Sequence, residues 1–274
     1  MPRRWGWTAV ITAAQQGGAW YGFSARPSEG DKRLMAYSVM DLFCGAGGIS
    51  HGFSSTGICR ISCGIDINPG SIGSFAANFP AAVAIAADIC DLAPRDVEAQ
   101  LPSGMESVDI VVAGPPCQGF SSIRPYRSVN RNDRRNTLFE QLFLFVDYFR
   151  PQYVVFENVV GILTHGKGAT IDAVMGAFES LGYATTMGVL NAVHYGVPQR
   201  RERVIVVASR GGPRPALPEP THGYDAGSMA RAEFRHAPLP LFSSDLLPAV
   251  TVGDAIGDLP PVAAGQTAHQ YRAQ

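Results

Sequence analysis

The sequence predicts an α/β fold, a mostly parallel twisted sheet with helices on both faces. Three observations carry this. From Met35 to Ser209 short apolar strand-like runs alternate with amphipathic helical segments. Runs such as "VDIVVA" and "RVIVVAS" suit strands covered on both sides. With 274 residues, 46% of them hydrophobic and 16% charged, the chain can bury a full core, and it has no repeat at solenoid spacing.

The elements follow in order. Residues Met1 to Leu34 hold three Trp among scattered Gly and Arg without sustained periodicity, so Met35 is expected to be the true start. On that reading the first segment is upstream sequence; an added docking arm is the rival. Strand-like "YSVMDLF" leads through a glycine turn to a helix around Ile49–Ser55, then strand "ISCGIDI" and helix "SIGSFAANF". The next cycle ends in "VDIVVAG". After an Arg-rich loop come helix "NTLFEQLFLFVDYF", strand "QYVVFENV", helix "TIDAVMGAFESLG" and the strand-like runs "ATTMGVLNA" and "RVIVVAS". Beyond Arg210 the pattern fades into Pro-rich sequence with one short helix in "TVGDAIGDL". Three regions result: an irregular 1–34, a main domain over 35–210, and a Pro/Gly-rich tail over 211–274.

The formal net charge of −1 gives no global attraction to nucleic acid, so any such function rests on local charge. Five cysteines without CxxC spacing disfavour both a zinc site and a disulfide framework, and a reducing cytoplasm fits them best. No apolar run is long enough to span a bilayer, and no metal site is expected.

"DLFCGAGG", Asp41 to Gly48, sits where the first strand hands over to a helix; Gly45, Gly47 and Gly48 allow a sharp turn and close approach of a ligand. A purely structural turn would look much the same. Asp66 ends the second strand, where a carboxylate accepts from ribose hydroxyls in doubly wound sheets. Asp88, in "AADIC", is placed to accept from an adenine amino group, with Ile89 packing on the ring. Together these acids favour an adenosine-containing cofactor. The loop lacks the GxGxxG of nicotinamide sites, and the chain lacks a P-loop GK[ST]. After strand "VDIVVA" comes "GPPCQGFSS"; a lone cysteine such as Cys117 is by itself more often an inert filler than a nucleophile.

Taken in order, "DLFCGAGG", "GPPCQGFS", "FENV" and "QRRER" resemble the sequence blocks of the DNA (cytosine-5)-methyltransferases, and "TVGDAIGDLP" resembles the segment that precedes that family's target-recognition region. The resemblance implies a Rossmann-like methyltransferase fold and S-adenosyl-L-methionine as cofactor. Phe43, the glycine turn, Asp66, Ile67, Asp88 and Ile89 would hold it, with Pro116 and Leu138 at its methionine end. It also implies double-stranded DNA as substrate, restriction–modification as context, and the cytoplasm, at the nucleoid, as location. Cytosine C5 is too weak a nucleophile to take a methyl group unaided; a thiolate added at C6 makes it enamine-like, and Cys117 matches the family's nucleophile. Glu157 would offer a proton at N3 and accept from the exocyclic amine, while Asn158 braces its loop. Arg201 and Arg203, on one face of a strand, match arginines that face the active site, and Arg200 would point away.

Between Gln118 and Asn136 lie Arg124, Arg127, Arg131, Arg134 and Arg135 against one acid, Asp133. Such a run is usually a solvated face, but here it follows the cysteine and suits closure over a phosphate backbone. By resemblance Gln118 and Ser121 would contact phosphate or fill the space left by the flipped base, and Arg124 and Arg127 of the basic run are expected to contact DNA. The family's target-recognition domain and closing "GNS" block have no counterpart before Gln274. The chain is then read as a fragment, or as half of a split enzyme whose second chain supplies the rest. An orphan DNA-binding or inert remnant is the alternative from another class. The amino-methylating enzymes, with a [DNS]PP[YFW] loop, and the tRNA-directed branch, with a "CFT" segment, fit less well.

Overall fold

The computed structural model describes residues 37–103, 107–116, 138–223 and 246–267. Chain order begins with β1 (Tyr37–Leu42), α1 (Gly48–Ser54), β2 (Cys59–Asp66), α2 (Pro69–Asn78), β3 (Val83–Ala86), α3 (Pro94–Glu98) and β4 (Ile110–Ala113). It continues with α4 (Leu138–Phe149), β5 (Tyr153–Asn158), α5 (Ala169–Ser180), β6 (Tyr183–Asn191) and β7 (Glu202–Arg210). Two short strands, β8 (His222–Gly223) and β9 (Leu247–Pro248), pair with each other, and α6 (Val252–Ile256) follows.

The described residues form a seven-stranded sheet in the order β3-β2-β1-β4-β5-β7-β6. The first five strands in that order run parallel, while β7 lies antiparallel between β5 and β6. The order turns back between β1 and β4. This is the switch point outside whose carboxyl ends open α/β sheets bind ligands.

Period-2 alternation sends neighbouring strand residues to opposite faces. Met40, Leu42, Val111 and Ala113 pack with Leu142, Phe145 and Val146 of α4 and Ile171, Val174 and Phe178 of α5. Val39, Ile110 and Val112 pack instead with Ile72 and Phe75 of α2 and with Ile49 and Phe53 of α1. Both faces are therefore covered, as the apolar strand runs require. Helix α2 starts with Pro69 in its first turn and Asn68 as cap, accepting from the N–H of Gly70 and Ser71.

The segment past β7 returns to the sheet. Tyr195, Leu190, Val207 and Leu217 form a third buried cluster, and the Tyr195 hydroxyl donates to the Pro218 carbonyl at 2.9 Å. Thr221 N–H donates to the His194 carbonyl at 2.9 Å, and Leu247 N–H donates to the Thr221 carbonyl at 3.0 Å.

Candidate active site

The turn after β1 is built from left-handed residues. Phe43 has φ 65°, Gly45 55° and Gly47 91°. Left-handed backbone is uncommon for a bulky residue, so Phe43 is held there by its surroundings, where it packs against the main core cluster. Gly47 is required twice over: its φ disfavours a side chain, and a Cβ would stand 2.5 Å from the Phe79 ring. A Cβ on Gly45, by contrast, would meet nothing within 4 Å among the described residues, so these leave open space over this part of the turn.

Two acids brace the turn. Asp66 Oδ2 accepts the Gly45 N–H at 2.9 Å, and its Oδ1 accepts the Asn68 N–H at 2.8 Å. The carboxylate expected to receive ribose hydroxyls thus also fixes the glycine turn; each of its oxygens keeps a further acceptor lone pair. Beneath the turn, Asp41 is buried and accepts the Ser50 hydroxyl at 2.6 Å. Burial raises its carboxyl to about 7, against the opposing effect of the Ser50 hydrogen bonds. The sequence reading assigned no role to Asp41 or Ser50.

Around this turn Ile67 is 67% exposed just past β2, whereas Ile89 is 4% exposed and part of the core. Asp88 is half-buried and caps the short 3-10 turn Ile89–Asp91, accepting the Cys90 N–H at 3.0 Å. Leu138 opens α4 and packs on the core. The residues present fit an adenosine-containing group: open space over Gly45, a carboxylate at the β2 end and an exposed apolar side chain beside it.

The second half of the site lies beyond β4. Pro115 is buried and Pro116 exposed. Cys117, Gln118, Ser121, Arg124 and Arg127 lie outside the described residues, as do Arg131, Arg134, Arg135 and the segment before Tyr37. Their neighbours are placed. Asn158, 3% exposed at the end of β5, donates from Nδ2 to the Pro115 carbonyl at 3.4 Å and accepts the Val159 N–H at 2.8 Å. It ties the end of β5 to Pro115, just past β4.

Glu157 precedes it. A Cβ on Gly114 would stand 3.4 Å from Glu157 Oε2, so the carboxyl lies against the backbone just past β4. Opposite Glu157 in the β5–β7 ladder is Ile205, and Arg203 is its diagonal neighbour on that face. Arg203 Nε and Glu157 Oε1 are 2.8 Å apart, both groups mostly buried. Burial pushes the Glu157 carboxyl up, and Arg203 and then Arg201 pull it back down. The two influences disagree, and burial wins, which keeps a proton within reach of this acid despite the guanidinium beside it. Arg201, just before β7, is depressed by burial and by Arg203, and raised by Glu157. Both arginines therefore act on one carboxyl. Among the described residues no group of three or more His, Cys, Asp or Glu could hold a metal ion.

A family model for the C-5 cytosine-specific DNA methylases matches residues 37–245. The chain belongs to that family. It is 37% identical over 223 residues to type II methyltransferase M.AgeI of Thalassovita gelatinovora, covering 81% of this chain and 51% of that protein. Type II methyltransferase M1.HphI of Haemophilus parahaemolyticus is 33% identical, covering 85% of this chain and 55% of its own length. The chain thus spans about half the length of these relatives. M.AquIA of Picosynechococcus differs: at 34% identity the match covers 83% of this chain and 90% of that protein. The structure of a Spodoptera frugiperda DNMT2 mutant shares the fold, with a TM-score of 0.55 at 22% identity over 77% of this chain and 57% of that one. For this methylase-family chain the sheet is the Rossmann-like methyltransferase fold expected of it.

Proposed function

We propose that this chain acts as a DNA (cytosine-5)-methyltransferase, taking a methyl group from S-adenosyl-L-methionine to C5 of a cytosine extruded from duplex DNA, in a restriction–modification setting. The observation that carries the reading is the mostly buried Glu157–Arg203 pair against Gly114, joined through Asn158 to the Pro115 carbonyl. An acid whose proton affinity is raised by burial therefore lies against Gly114, which precedes Cys117 closely in the sequence.

Bound at the glycine turn, S-adenosyl-L-methionine supplies an electrophilic methyl on its sulfonium. Gly45, Gly47 and Gly48 would let the backbone approach it, Asp66 would accept from its ribose hydroxyls and Asp88 from its adenine amino group, Ile67 and Phe43 would offer apolar contact, and Pro116 and Leu138 would hold its methionine end. Cys117, as thiolate, adds to cytosine C6 while Glu157 gives its proton to N3, so the ring carries no net anion. Arg201 and Arg203 hold Glu157 and the base carbonyl. After transfer a water takes up the C5 proton, the Cys117–C6 bond breaks with its electron pair returning to sulfur as thiolate, and N3 gives its proton back to Glu157, restoring the ring. Gln118, Ser121, Arg124 and Arg127 contact the DNA. The protein would work in the cytoplasm, at the nucleoid.

The test is incorporation of labelled methyl into unmethylated genomic DNA by the purified chain and by Cys117→Ser. Transfer by the wild type that Cys117→Ser abolishes supports the reading. Transfer retained by Cys117→Ser removes the cysteine from the nucleophile role.

A second reading is favoured by one observation. Val252, Ile256, Leu259 and Val262 are 43–57% exposed along α6 and the turn after it, although α6 is well capped by the reciprocal Thr251–Asp254 pair. Such a row is suited to being covered. On this reading the chain binds cofactor weakly and methylates poorly until a further polypeptide, carrying target recognition, packs there. Robust site-specific methylation by the purified chain alone would exclude it.

A further inference from the structure

The connection from β6 to β7 contains a clamp that sequence patterning did not expose. Asn191, the last residue of β6, accepts two backbone N–H groups on Oδ1: Val193 at 3.4 Å and Arg201 at 3.1 Å. Ala192 N–H donates to the Arg201 carbonyl at 3.0 Å. Both backbone polar groups of Arg201 are therefore held from the end of β6, closing the connection 192–201 on itself. The first bond caps a short 3-10 turn over Ala192–Tyr195, an ordinary task for Asn. The second is not needed for capping, and it lands on one of the two arginines that act on Glu157.

We propose that Asn191 is a positioning residue for the acid of the active site: its side-chain oxygen fixes the register at which Arg201 and Arg203 meet Glu157. The inference rests on the role given to Glu157 above. The β6–β7 ladder pairs Leu190 with Arg203 and ends at Asn191 with Glu202. Without the clamp, Arg203 would stand in the last pairs of a strand end, where ladders open first. The β5–β7 ladder stops at Asn158 with Val204, so Arg203 is held on that side by no strand pair and its place depends on how firmly the entry to β7 is fixed. The charged groups that act on Glu157 among the described residues are Arg203 and Arg201, so both of its electrostatic partners depend on this one joint.

Only an acceptor is required at position 191, which separates positioning from general packing. Asn191→Asp keeps an oxygen in place for both N–H groups. Asn191→Ala removes it. Asn191→Ser keeps a short capping oxygen for Val193 and falls short of Arg201, so it isolates the clamp from the cap.

The experiment uses the full chain with 13C-labelled glutamate, the Glu157 carboxyl signal being assigned by its loss in Glu157→Gln. Loss of the arginines from their register moves the carboxyl midpoint to higher pH. The expected rise is at least about 0.5 in Asn191→Ala and Asn191→Ser. Methyl transfer, followed in parallel, should slow by about 10- to 100-fold in the first two variants, with S-adenosyl-L-methionine affinity little changed, because the cofactor turn lies on the other side of β4. A wild-type midpoint in Asn191→Ala and Asn191→Ser overturns the inference; in Asn191→Asp the added charge shifts the midpoint by itself, so that variant is read by methyl transfer alone. A wild-type chain that transfers no methyl counts against the proposed function, and the carboxyl titration then decides the inference by itself.

Discussion

Replacing Asp41 by Asn should make the protein more stable at alkaline pH while leaving it little changed in acid. The Asp41 carboxyl is buried at 1% exposure under the glycine turn, hydrogen-bonded to Ser50, and its pKa stands at about 7 against an ordinary 3.8. Loss of hydration is the main cause; the Ser50 hydrogen bonds oppose it, and the charge of Asp66 adds to it. Because the folded value is raised, the folded state holds a proton that the unfolded state has lost. The stability this contributes is whole below pH 3.8 and is lost as pH rises towards 7, beyond which nothing more is lost. At about 1.4 kcal/mol per pKa unit the full loss is about 4 kcal/mol.

Asparagine cannot ionise, and its amide can still bond Ser50, with the serine hydroxyl turning to accept where needed. Urea unfolding of both proteins at several pH values isolates this one group, since every other titration is common to the pair. Between about pH 5 and pH 8 the variant should gain about 3 kcal/mol on the wild type, the rest of the difference falling below that window. A difference that stays flat across the window would show that Asp41 ionises without penalty, and would refute the burial argument for it.

Three further outcomes follow from the site. Glu157→Gln keeps a hydrogen-bonding side chain but loses the transferable proton, so methyl transfer should fall by about 100-fold or more in a single-turnover assay; a loss below threefold would remove Glu157 from the acid's role. Gly47→Ala meets both a left-handed φ of 91° and the Phe79 ring at 2.5 Å. It should cost about 2–4 kcal/mol in denaturant unfolding, and unchanged stability would mean that the turn relaxes freely. The double change Val252→Ser and Ile256→Ser touches side chains 57% and 51% exposed, and should alter the stability of the chain by about 0.5 kcal/mol or less. A loss above about 2 kcal/mol would show that these residues already pack within the chain.

What the sequence disclosed, and what it hid, divides along physical lines. Strand and helix positions were legible because burial on both faces writes apolar runs into the strands and a 3.6-residue period into the helices. The direction of β7 was not, for "RVIVVAS" would read the same in a parallel strand; local sequence records burial, not partner orientation. The acids divide in the same way. Asp66 was legible as a strand-end carboxylate, but its grip on the Gly45 N–H depends on how the turn folds back across 21 residues. Asp41 sits within the very motif that identifies the turn, yet nothing local distinguishes a buried carboxyl at a strand end from a solvated one.

Asn191 is the sharpest case. An asparagine closing an apolar strand signals a cap, and it is one; that the same oxygen also holds Arg201 follows only from the antiparallel return of β7. The consequence concerns how the site is built. The side proposed to hold the cofactor is organised by short-range turns, Phe43 to Gly48 and Asp66 to Asn68, and so is largely encoded in contiguous motifs. The side proposed to handle the base gathers Gly114, Pro115, Glu157, Asn158, Arg201 and Arg203 from the ends of three strands and depends on one antiparallel register. A mutation that loosens that register should therefore disturb the acid while leaving cofactor binding almost untouched, which a paired measurement of carboxyl titration and cofactor affinity in Asn191→Ser resolves directly.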